Sequence, residues 1–106
     1  MKKRFTKKQL YELRNSVPVN DWIRELAVPC KFDDEGRFRF LCPICNEFIT
    51  STKADTNLAR CFRCERNFNT IDLAMICRGM GFVEAAESLE AFLRKASRGG
   101  EPSGRR

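Results

Sequence analysis

The stretches "LCPICNEF" at positions 41–48 and "ARCFRCER" at positions 59–66 each carry two cysteines separated by two residues. We call each Cys-x-x-Cys unit a hook, and fifteen residues separate the two hooks. This spacing is typical of a structural zinc site, in which each hook supplies two sulfur ligands to one tetrahedral ion. The predicted ligands are Cys42, Cys45, Cys61 and Cys64.

A redox pair and a pair of disulfides are the alternatives to a metal site. A thioredoxin-like motif places one Cys-x-x-Cys at the start of a helix, whereas both hooks lie between stretches with strand and turn character. Disulfides are rare in the reducing cytosol, where a chain without a secretory signal is expected. The chain has no histidine, so four thiolates would close the coordination sphere and leave no position for a catalytic water. The predicted ion is therefore single and structural.

The two remaining cysteines lie outside the hook spacing. Cys77 falls among the apolar side chains of a predicted helix and is interpreted as a small buried hydrophobe. Cys30 follows a proline, and no pattern assigns it a role.

The length of 106 residues suits one domain. The end of the chain, "SRGGEPSGRR", is rich in glycine, serine and arginine, so we predict a domain over 1–96 and a disordered basic tail over 97–106. The sequence has no run of eighteen apolar residues, which predicts that it does not enter a membrane. We therefore expect a cytoplasmic protein.

Two helices are predicted before the hooks and two after them. Thr6 and Gln9 form a capping box that starts a helix over 6–15. Apolar residues then recur at helical spacing over 19–26, and Pro29 ends this second helix. After the hooks, "IDLAMICRGMG" predicts a third helix that begins at a cap, Asn69 or Thr70, and ends at a glycine. A fourth helix runs from position 82 to about position 95.

The segments around the hooks have strand character. "RFRFL" alternates along its length, and "EFITSTK" and "NLARCF" are joined by the turn-forming "ADTN", which predicts a hairpin. Strand alternation places Phe38 and Phe40 on one face and Arg37 and Arg39 on the other. The predicted fold is α+β, with a zinc-ribbon-like small antiparallel sheet, two N-terminal helices and two C-terminal helices.

Over about residues 6–93 the chain resembles the zinc-binding domain at the N-terminus of bacterial DnaG-type DNA primases. The resemblance is carried, in order, by the two-helix lead-in, "FLCPIC", "RCFRC", "NTIDLAM" and "GFVEAAESLEAF". The family has histidine where this chain has Cys45, a difference that zinc tolerates. The glycine-rich turn of the family is replaced by "ERNF" at 65–68, in which Asn67 is expected to take a left-handed conformation.

The resemblance implies that the domain engages single-stranded DNA template and helps to start primer synthesis. Single-strand binders combine cations that follow the backbone with aromatic faces on which bases stack. The candidate DNA contacts lie around the hooks: Arg37, Arg39, Lys53, Arg60, Phe62 and Arg63. The five cations are predicted to be exposed, whereas the sequence leaves Phe62 open between the surface and the core. The formal net charge of +6 favours such an anionic partner, although the same arginines are also compatible with an ordinary solvated face.

Several roles remain open at this point. The acidic residues are scattered, with no carboxylate cluster for a catalytic magnesium, so we expect no enzyme activity and a separate primase, polymerase or helicase chain as partner. One alternative is a zinc-ribbon transcription regulator that binds duplex DNA, although the last helix presents mainly glutamates. The other is a protein-interaction adaptor that exposes Phe68 and the region of Met80.

Overall fold

The computed structural model describes residues 5–99. Along these residues, four helices flank five short strands. The elements are α1 Lys7–Ser16, α2 Val19–Glu25, β1 Cys30–Phe32, β2 Phe38–Phe40, β3 Thr50–Lys53, β4 Leu58–Cys61, β5 Arg66–Phe68, α3 Thr70–Arg78 and α4 Phe82–Gly99. This arrangement confirms the predicted α+β class, with two helices before the strands and two after them.

The predicted capping residues start two of the helices. The Thr6 N–H donates to Gln9 Oε1 at 2.8 Å and the Gln9 N–H donates to Thr6 Oγ1 at 3.0 Å, so the predicted capping box of α1 is confirmed. At α3 the Asn69 side chain accepts from the Asp72 N–H at 2.8 Å, which settles the cap at Asn69. Gly79 ends α3 in the left-handed conformation, as glycine can do at little cost.

Helix α2 ends without a glycine. The Val28 N–H donates to the Ile23 carbonyl at 3.1 Å and the Ala27 N–H donates to the Arg24 carbonyl at 3.0 Å. These bonds form a Schellman motif, in which the residue after the cap is left-handed. Ala27 occupies that position with a φ of 61°. The chain therefore turns sharply before Pro29, where the sequence predicted the end of the helix.

The strands form two antiparallel sheets where the sequence predicted one. Strand β1 pairs with β2, and β4 lies between β3 and β5. The predicted β3–β4 hairpin is confirmed, with Thr50 opposite Cys61 and Lys53 opposite Leu58. Strands β1 and β5 were not predicted. Each has three residues and closely follows Pro29 or the second hook, whereas β2, although equally short, lies in the longer alternating stretch "RFRFL".

A threonine side chain joins the two sheets. The Phe40 N–H donates to Thr50 Oγ1 at 2.9 Å, and the Thr50 hydroxyl donates to the Phe40 carbonyl. Thr50 and Phe40 are both fully buried. Because a buried polar group must be paired, this exchange both satisfies the hydroxyl and keeps β2 beside β3.

One hydrophobic core unites the helices and the sheets. Phe38 and Phe40 point into it, as strand alternation predicted. Trp22 of α2 lies at its centre, where its Nε1–H donates to the Thr70 carbonyl at 2.9 Å and its ring meets Phe92 edge-on at 5.4 Å. The Thr70 hydroxyl in turn donates to the Leu13 carbonyl at 2.9 Å, so helices α1, α2 and α3 are tied at one point.

Helix α4 is longer than predicted. It continues to Gly99, so the first three residues of the predicted tail, 97–99, belong to a helix. No glycine or proline interrupts positions 82–98, which explains why the helix does not end at position 95. The rest of the predicted tail, 100–106, lies outside the described residues. Within the described part of the chain, none of the helices is both long enough and apolar enough to cross a membrane.

Candidate metal centre and nucleic-acid interface

Each of the two hooks lies in a turn at the end of a strand. Cys42 follows β2 after one residue, and Cys61 is the last residue of β4. Each hook is followed at once by a left-handed residue, Asn46 with a φ of 61° and Glu65 with a φ of 55°. The sequence predicted Asn67 for the left-handed position, and this is wrong because Asn67 lies in β5 and the turn has already closed at Glu65.

These turns bring the four cysteine sulfurs together. All four Sγ atoms lie within 4.8 Å of one another. The Cys42 and Cys64 sulfurs are 3.9 Å apart, and the Cys45 and Cys61 sulfurs are 3.6 Å apart. A tetrahedron whose corners lie about 2.3 Å from a central zinc has edges of about 3.8 Å. The spacing therefore fits one tetrahedral metal ion, and it is too long for a disulfide of about 2.0 Å.

Backbone N–H groups point at two of the sulfurs. The Ile44 N–H donates to Cys42 Sγ at 3.4 Å, and the Cys64 N–H donates to Cys61 Sγ at 3.3 Å. In each hook, therefore, a backbone N–H of the same turn donates to the sulfur of the first cysteine. Such bonds favour the thiolate, which is the form that binds a metal.

The ionisation of the cluster also favours a bound cation. Burial raises the pKa of Cys61, but the N–H of Cys64 and the neighbouring thiols lower it to about 7 in all. Burial, together with the thiols of Cys45, Cys61 and Cys42, raises the pKa of Cys64 to about 12. Without a cation the Cys64 thiol, with its raised pKa, therefore keeps its proton near neutral pH, and metal binding must release that proton.

The other two cysteines stand apart from this cluster. Cys30 is in β1, paired with Phe40, and is partly buried. Cys77 packs against the core from α3, and burial raises its pKa. The packing agrees with the interpretation of Cys77 as a small hydrophobe, although its side chain is only half-buried.

The face of the β3–β5 sheet that points away from the core carries several predicted DNA contacts. Ser51, Arg60 and Asn67 lie opposite one another across the three strands. We call this the outer face, and its exposed cavity of about 320 Å³ is lined by Ser51, Lys53, Thr56, Leu58, Arg60, Phe62 and Asn67. Among the residues that the structure describes, no carboxylate lines this cavity.

Arg60 and Phe62 form a paired cation and aromatic ring on the outer face. The Arg60 guanidinium lies 5.6 Å from the centroid of the Phe62 ring, and its Nη1–H donates to Asn67 Oδ1 at 3.2 Å. Phe62 is 48 % exposed. The arginine is thus held in place while the ring remains accessible, an arrangement suited to a phosphate and a neighbouring base.

Arg39 does not belong to this surface, although the sequence predicted it to be exposed. Its side chain is only 19 % exposed, with Nε donating to Asp33 Oδ2 at 3.1 Å and Nη1 donating to the Thr50 carbonyl. Arg39 therefore links the β1–β2 sheet to strand β3 of the other sheet through hydrogen bonds. The prediction failed because the partners of an arginine cannot be read from strand alternation.

Asp33 organises the turn between β1 and β2. Its Oδ1 accepts from the N–H groups of Glu35 and Arg37, each at 2.9 Å, while Oδ2 accepts from Arg37 Nε at 3.2 Å as well as from Arg39. The Arg37 and Glu35 N–H groups and the Arg39 guanidinium outweigh desolvation and lower the pKa of Asp33 to about 2. Sequence analysis assigned no role to Asp33, and nothing in the sequence indicated that it would hold two arginines.

The remaining predicted contacts are separated from one another. Arg37 is exposed, pairs with Asp33 and Glu35, and lines a second cavity on the other side of Ser51. Arg63 is exposed within the second hook and lines neither cavity. The structure thus brings together Lys53, Arg60 and Phe62, and it adds two residues that sequence analysis missed. Ser51 could have been found two positions before Lys53 by strand alternation, whereas Asn67 required the unpredicted strand β5.

Phe68 is not a surface residue. It alternates with Asn67 in β5, faces the core and is fully buried. The expectation that an adaptor would expose Phe68 is therefore wrong, because the Phe68 side chain packs in the core, where Phe68 pairs with Ala59 of β4.

Comparison with models of protein families gives no match to this sequence. Comparison with curated proteins gives no significant match either.

Proposed function

We propose that this chain is a zinc-stabilised domain that binds single-stranded DNA and acts as a template-binding accessory, or split subunit, of a primase or related replication enzyme. The polymerising chemistry would reside in a separate polymerase or helicase-associated chain, and the location would be the reducing cytosol. The observation that carries the proposal is the outer face, where Lys53, Arg60 and Phe62 line one cavity beside the cysteine cluster.

Zinc is the metal that the cluster fits best. Four thiolates in a tetrahedron are a soft ligand set that suits zinc and iron–sulfur centres, and a single closed site with this spacing is typical of structural zinc. The ion would hold the two hook turns together and so keep the outer face in shape. It would perform no chemistry, because four sulfurs leave no coordination position for water or substrate.

The form of the outer face favours a single strand over a duplex. Phe62 offers an exposed ring, and stacking on it requires a base that is not already stacked in a duplex. A duplex regulator needs a helix that presents basic or base-reading side chains to the major groove. The solvent side of α4 instead carries Glu84 and Glu87, which phosphate would repel.

Binding can be tested by fluorescence anisotropy with single-stranded and duplex oligonucleotides over a salt series. Phe62→Ala should weaken single-strand binding by about tenfold, since stacking of one base is worth roughly 1–3 kcal/mol. Arg60→Gln should weaken it and reduce its salt dependence. The matched control is Arg94→Gln, an equal loss of charge on α4, which should leave binding within about twofold of the wild type. Salt-independent or absent single-strand binding would favour the adaptor, and a duplex preference would favour the regulator.

Metal content tests the zinc part of the proposal separately. Native mass spectrometry should find one zinc ion per chain, and Cys61→Ser should lose it because three thiolates cannot close the site. Cys77→Ser is the control, since its sulfur lies outside the cluster and the zinc should be retained. A well-folded Cys61→Ser protein with intact β3–β5 would contradict a structural ion.

A further inference from the structure

Helix α1 carries one exposed aromatic ring on its solvent side. Leu13 is buried in the core and Leu10 packs against it, whereas Tyr11 is 62 % exposed. Within residues 5–99 the Tyr11 ring makes no aromatic or cation–π contact. Both sides of an aromatic ring with this exposure are accessible to a ligand, and nucleobases stack on such rings.

Three cations and one amide surround this ring on the helix surface. Residues three and four positions apart are neighbours on an α-helix. None of the three cations takes part in an ion pair within residues 5–99. We call Tyr11 and its neighbours the α1 basic face, which consists of Lys7, Lys8, Tyr11, Arg14 and Asn15.

The acidic residue of α1 lies on the other flank of the helix. Glu12 lines a small groove between α1 and α4, together with Gln9 of its own helix and Glu90 and Leu93 of α4. The carboxylates of this region thus collect at the groove with α4 and not around Tyr11. The charge of the α1 basic face is therefore complementary to phosphate, which is the group that basic surfaces of single-strand binders contact.

The α1 basic face adjoins the outer face at the β3–β4 turn. The Asn57 side chain in this turn donates to the Arg14 carbonyl at 2.7 Å. Asn57 directly precedes Leu58, which lines the outer-face cavity together with Lys53. Tyr11 lies three residues before Arg14, which is less than one turn of helix, or about 4.5 Å along the axis. A flexible single strand can therefore pass from Lys53 over the turn to the α1 basic face.

We propose that the α1 basic face is a second contact for the single strand bound at the outer face, in which Tyr11 stacks with a base and the neighbouring cations contact phosphates. The inference rests on the proposed function, because the strand reaches α1 from the outer face. It extends the bound strand, so affinity should increase with oligonucleotide length until both surfaces are covered.

The single tyrosine of the chain allows a direct test. Growth on fluorotyrosine labels Tyr11 alone, so the ¹⁹F spectrum of the zinc-loaded full chain contains one protein signal. Oligothymidylates of about 4–16 nucleotides span the site sizes of single-strand-binding folds. The long members should shift the signal at low concentration, and the shortest should do so only at much higher concentration, because the outer face is occupied first.

Polyglutamate is the control for charge in this titration, since it is an anionic chain without bases. It should not reproduce the shift that the long oligothymidylates cause. An equal shift at equal concentration of charge would assign the α1 basic face to an acidic protein segment and would overturn the proposal.

Anisotropy measurements test the stacking contact by substitution. Tyr11→Ala should weaken binding of the longest oligothymidylate by about tenfold and leave the shortest unchanged, whereas Phe62→Ala should weaken both. Phe82→Ala removes another exposed aromatic ring, at the start of α4, and should change neither. Tyr11→Ala should fold normally, because it keeps the backbone carbonyl that accepts from Asn15.

The salt dependence of binding tests the cations. Lys7→Gln combined with Lys8→Gln should reduce the slope of log affinity against log salt by about 1.4 for the longest oligothymidylate, because each phosphate contact to a single strand contributes about 0.7. Arg94→Gln combined with Lys95→Gln removes the same charge from α4 and should leave the slope nearly unchanged. Equal changes for the two pairs would mean that net charge causes the effect, and would contradict a contact at α1.

The outcomes for α1 and for the outer face are distinct. If the Tyr11 signal stays in place with every oligothymidylate while Phe62→Ala and Arg60→Gln weaken binding, the α1 contact is overturned and the proposed function stands. If the signal shifts and the outer-face variants bind as tightly as the wild type, α1 is confirmed as a contact and the outer face is wrong. If no oligothymidylate binds, both fail.

Discussion

At the scale of single residues, Ala27 holds a backbone conformation that its side chain disfavours. Its φ of 61° closes the Schellman motif of α2, and its side chain is exposed. A left-handed conformation costs a residue with a Cβ roughly 1–2 kcal/mol, whereas glycine adopts it freely. We expect Ala27→Gly to raise the free energy of unfolding by up to about 1 kcal/mol, after the greater entropy of the unfolded glycine chain is subtracted. Denaturant unfolding of the metal-loaded protein measures this change.

Ala91→Gly is the matched control for that substitution. Ala91 is an exposed residue in the interior of α4, where glycine lowers helix stability by about 1 kcal/mol relative to alanine. The two substitutions are chemically identical, so opposite signs would establish the backbone conformation as the cause. A fall in stability for both would contradict the assignment of Ala27.

A second prediction at this scale concerns pH. The pKa of Asp33 is lowered to about 2 from its ordinary value of 3.8, so its stabilising contribution is complete above 3.8 and is lost as the pH falls through about 2. Asp33→Asn should therefore lower the unfolding midpoint by the same amount at about pH 7 and about pH 5. Thermal unfolding followed by circular dichroism at the two pH values tests this.

The exposed neighbour Asp34 provides the control in the same turn. Asp34→Asn should leave the midpoint nearly unchanged, because exposed surface substitutions usually have small effects. A defect of Asp33→Asn that shrinks between about pH 7 and about pH 5 would show that Asp33 titrates far above the expected value.

The sequence was most informative about single residues where the signal was local. Thr6 with Gln9, and the glycine that ends α3, follow from contacts within one turn of chain, and both predictions are confirmed. The left-handed conformations of Ala27 and Glu65 were not predicted. Neither alanine nor glutamate favours a left-handed conformation. At both positions the conformation is imposed by the turn that the backbone makes there.

At the scale of elements, Asn57 joins the β3–β4 hairpin to the turn between α1 and α2. Its Nδ2 donates to the carbonyls of Arg14 and Val17, both at 2.7 Å, and its Oδ1 accepts from the Val19 N–H at 2.9 Å. Asn57 is buried and left-handed, with a φ of 53°. One side chain thus satisfies three backbone groups on the neighbouring turn.

We expect Asn57→Asp to destabilise the fold by at least about 2 kcal/mol, because the aspartate loses two donated bonds and places a negative oxygen against two carbonyls. Thermal unfolding of the metal-loaded protein measures the effect. Asn15→Asp is the control, since Asn15 is exposed and makes a local bond to the Tyr11 carbonyl. Equal effects of the two substitutions would mean that Asn57 does not join the elements.

The β3–β4 hairpin could be predicted, but the hydrogen bonds that join it to the turn between α1 and α2 could not. The β-branched and aromatic residues of "EFITSTK" and "NLARCF" carry a local strand signal, and "ADTN" carries a turn signal. Asn57 looked like an ordinary turn former. Its partners lie 38 to 43 residues earlier in the chain, a distance over which periodicity and turn propensity carry no information.

At the scale of the whole molecule, the cysteine cluster was far more predictable than the surface proposed to bind DNA. The spacing of the metal ligands can be read directly from the sequence, and the sulfurs of the four predicted cysteines lie within 4.8 Å of one another. A binding surface depends on which charges remain free after folding. Asp33 pairs with Arg39 and Arg37, and Arg63 lies within the second hook. Of the predicted set, the residues that line the outer-face cavity are Lys53, Arg60 and Phe62.

The four cysteines also lie in one part of the molecule. None is in a helix, and the largest side chains buried among the helices include Trp22, Ile23, Leu73 and Leu89. Trp22 is the single tryptophan of the chain, and it contacts Thr70 at the start of α3 and Phe92 of α4. Its fluorescence therefore reports on the packing of the helices.

Removal of the metal should accordingly unfold the strands before the helices. Where binding free energy is folding free energy, a chelator removes the stability of the elements that depend on the ligands. We expect amide protection in β3–β5 to be lost on chelation, while Trp22 emission stays blue-shifted and helical circular dichroism is largely retained. Readdition of zinc should restore the protection, and the same treatment of Cys61→Ser should change nothing further. A red shift of Trp22 that coincides with metal loss would mean that helices and strands form one cooperative unit, with Thr50, Asn57 and Thr70 coupling them too strongly to separate.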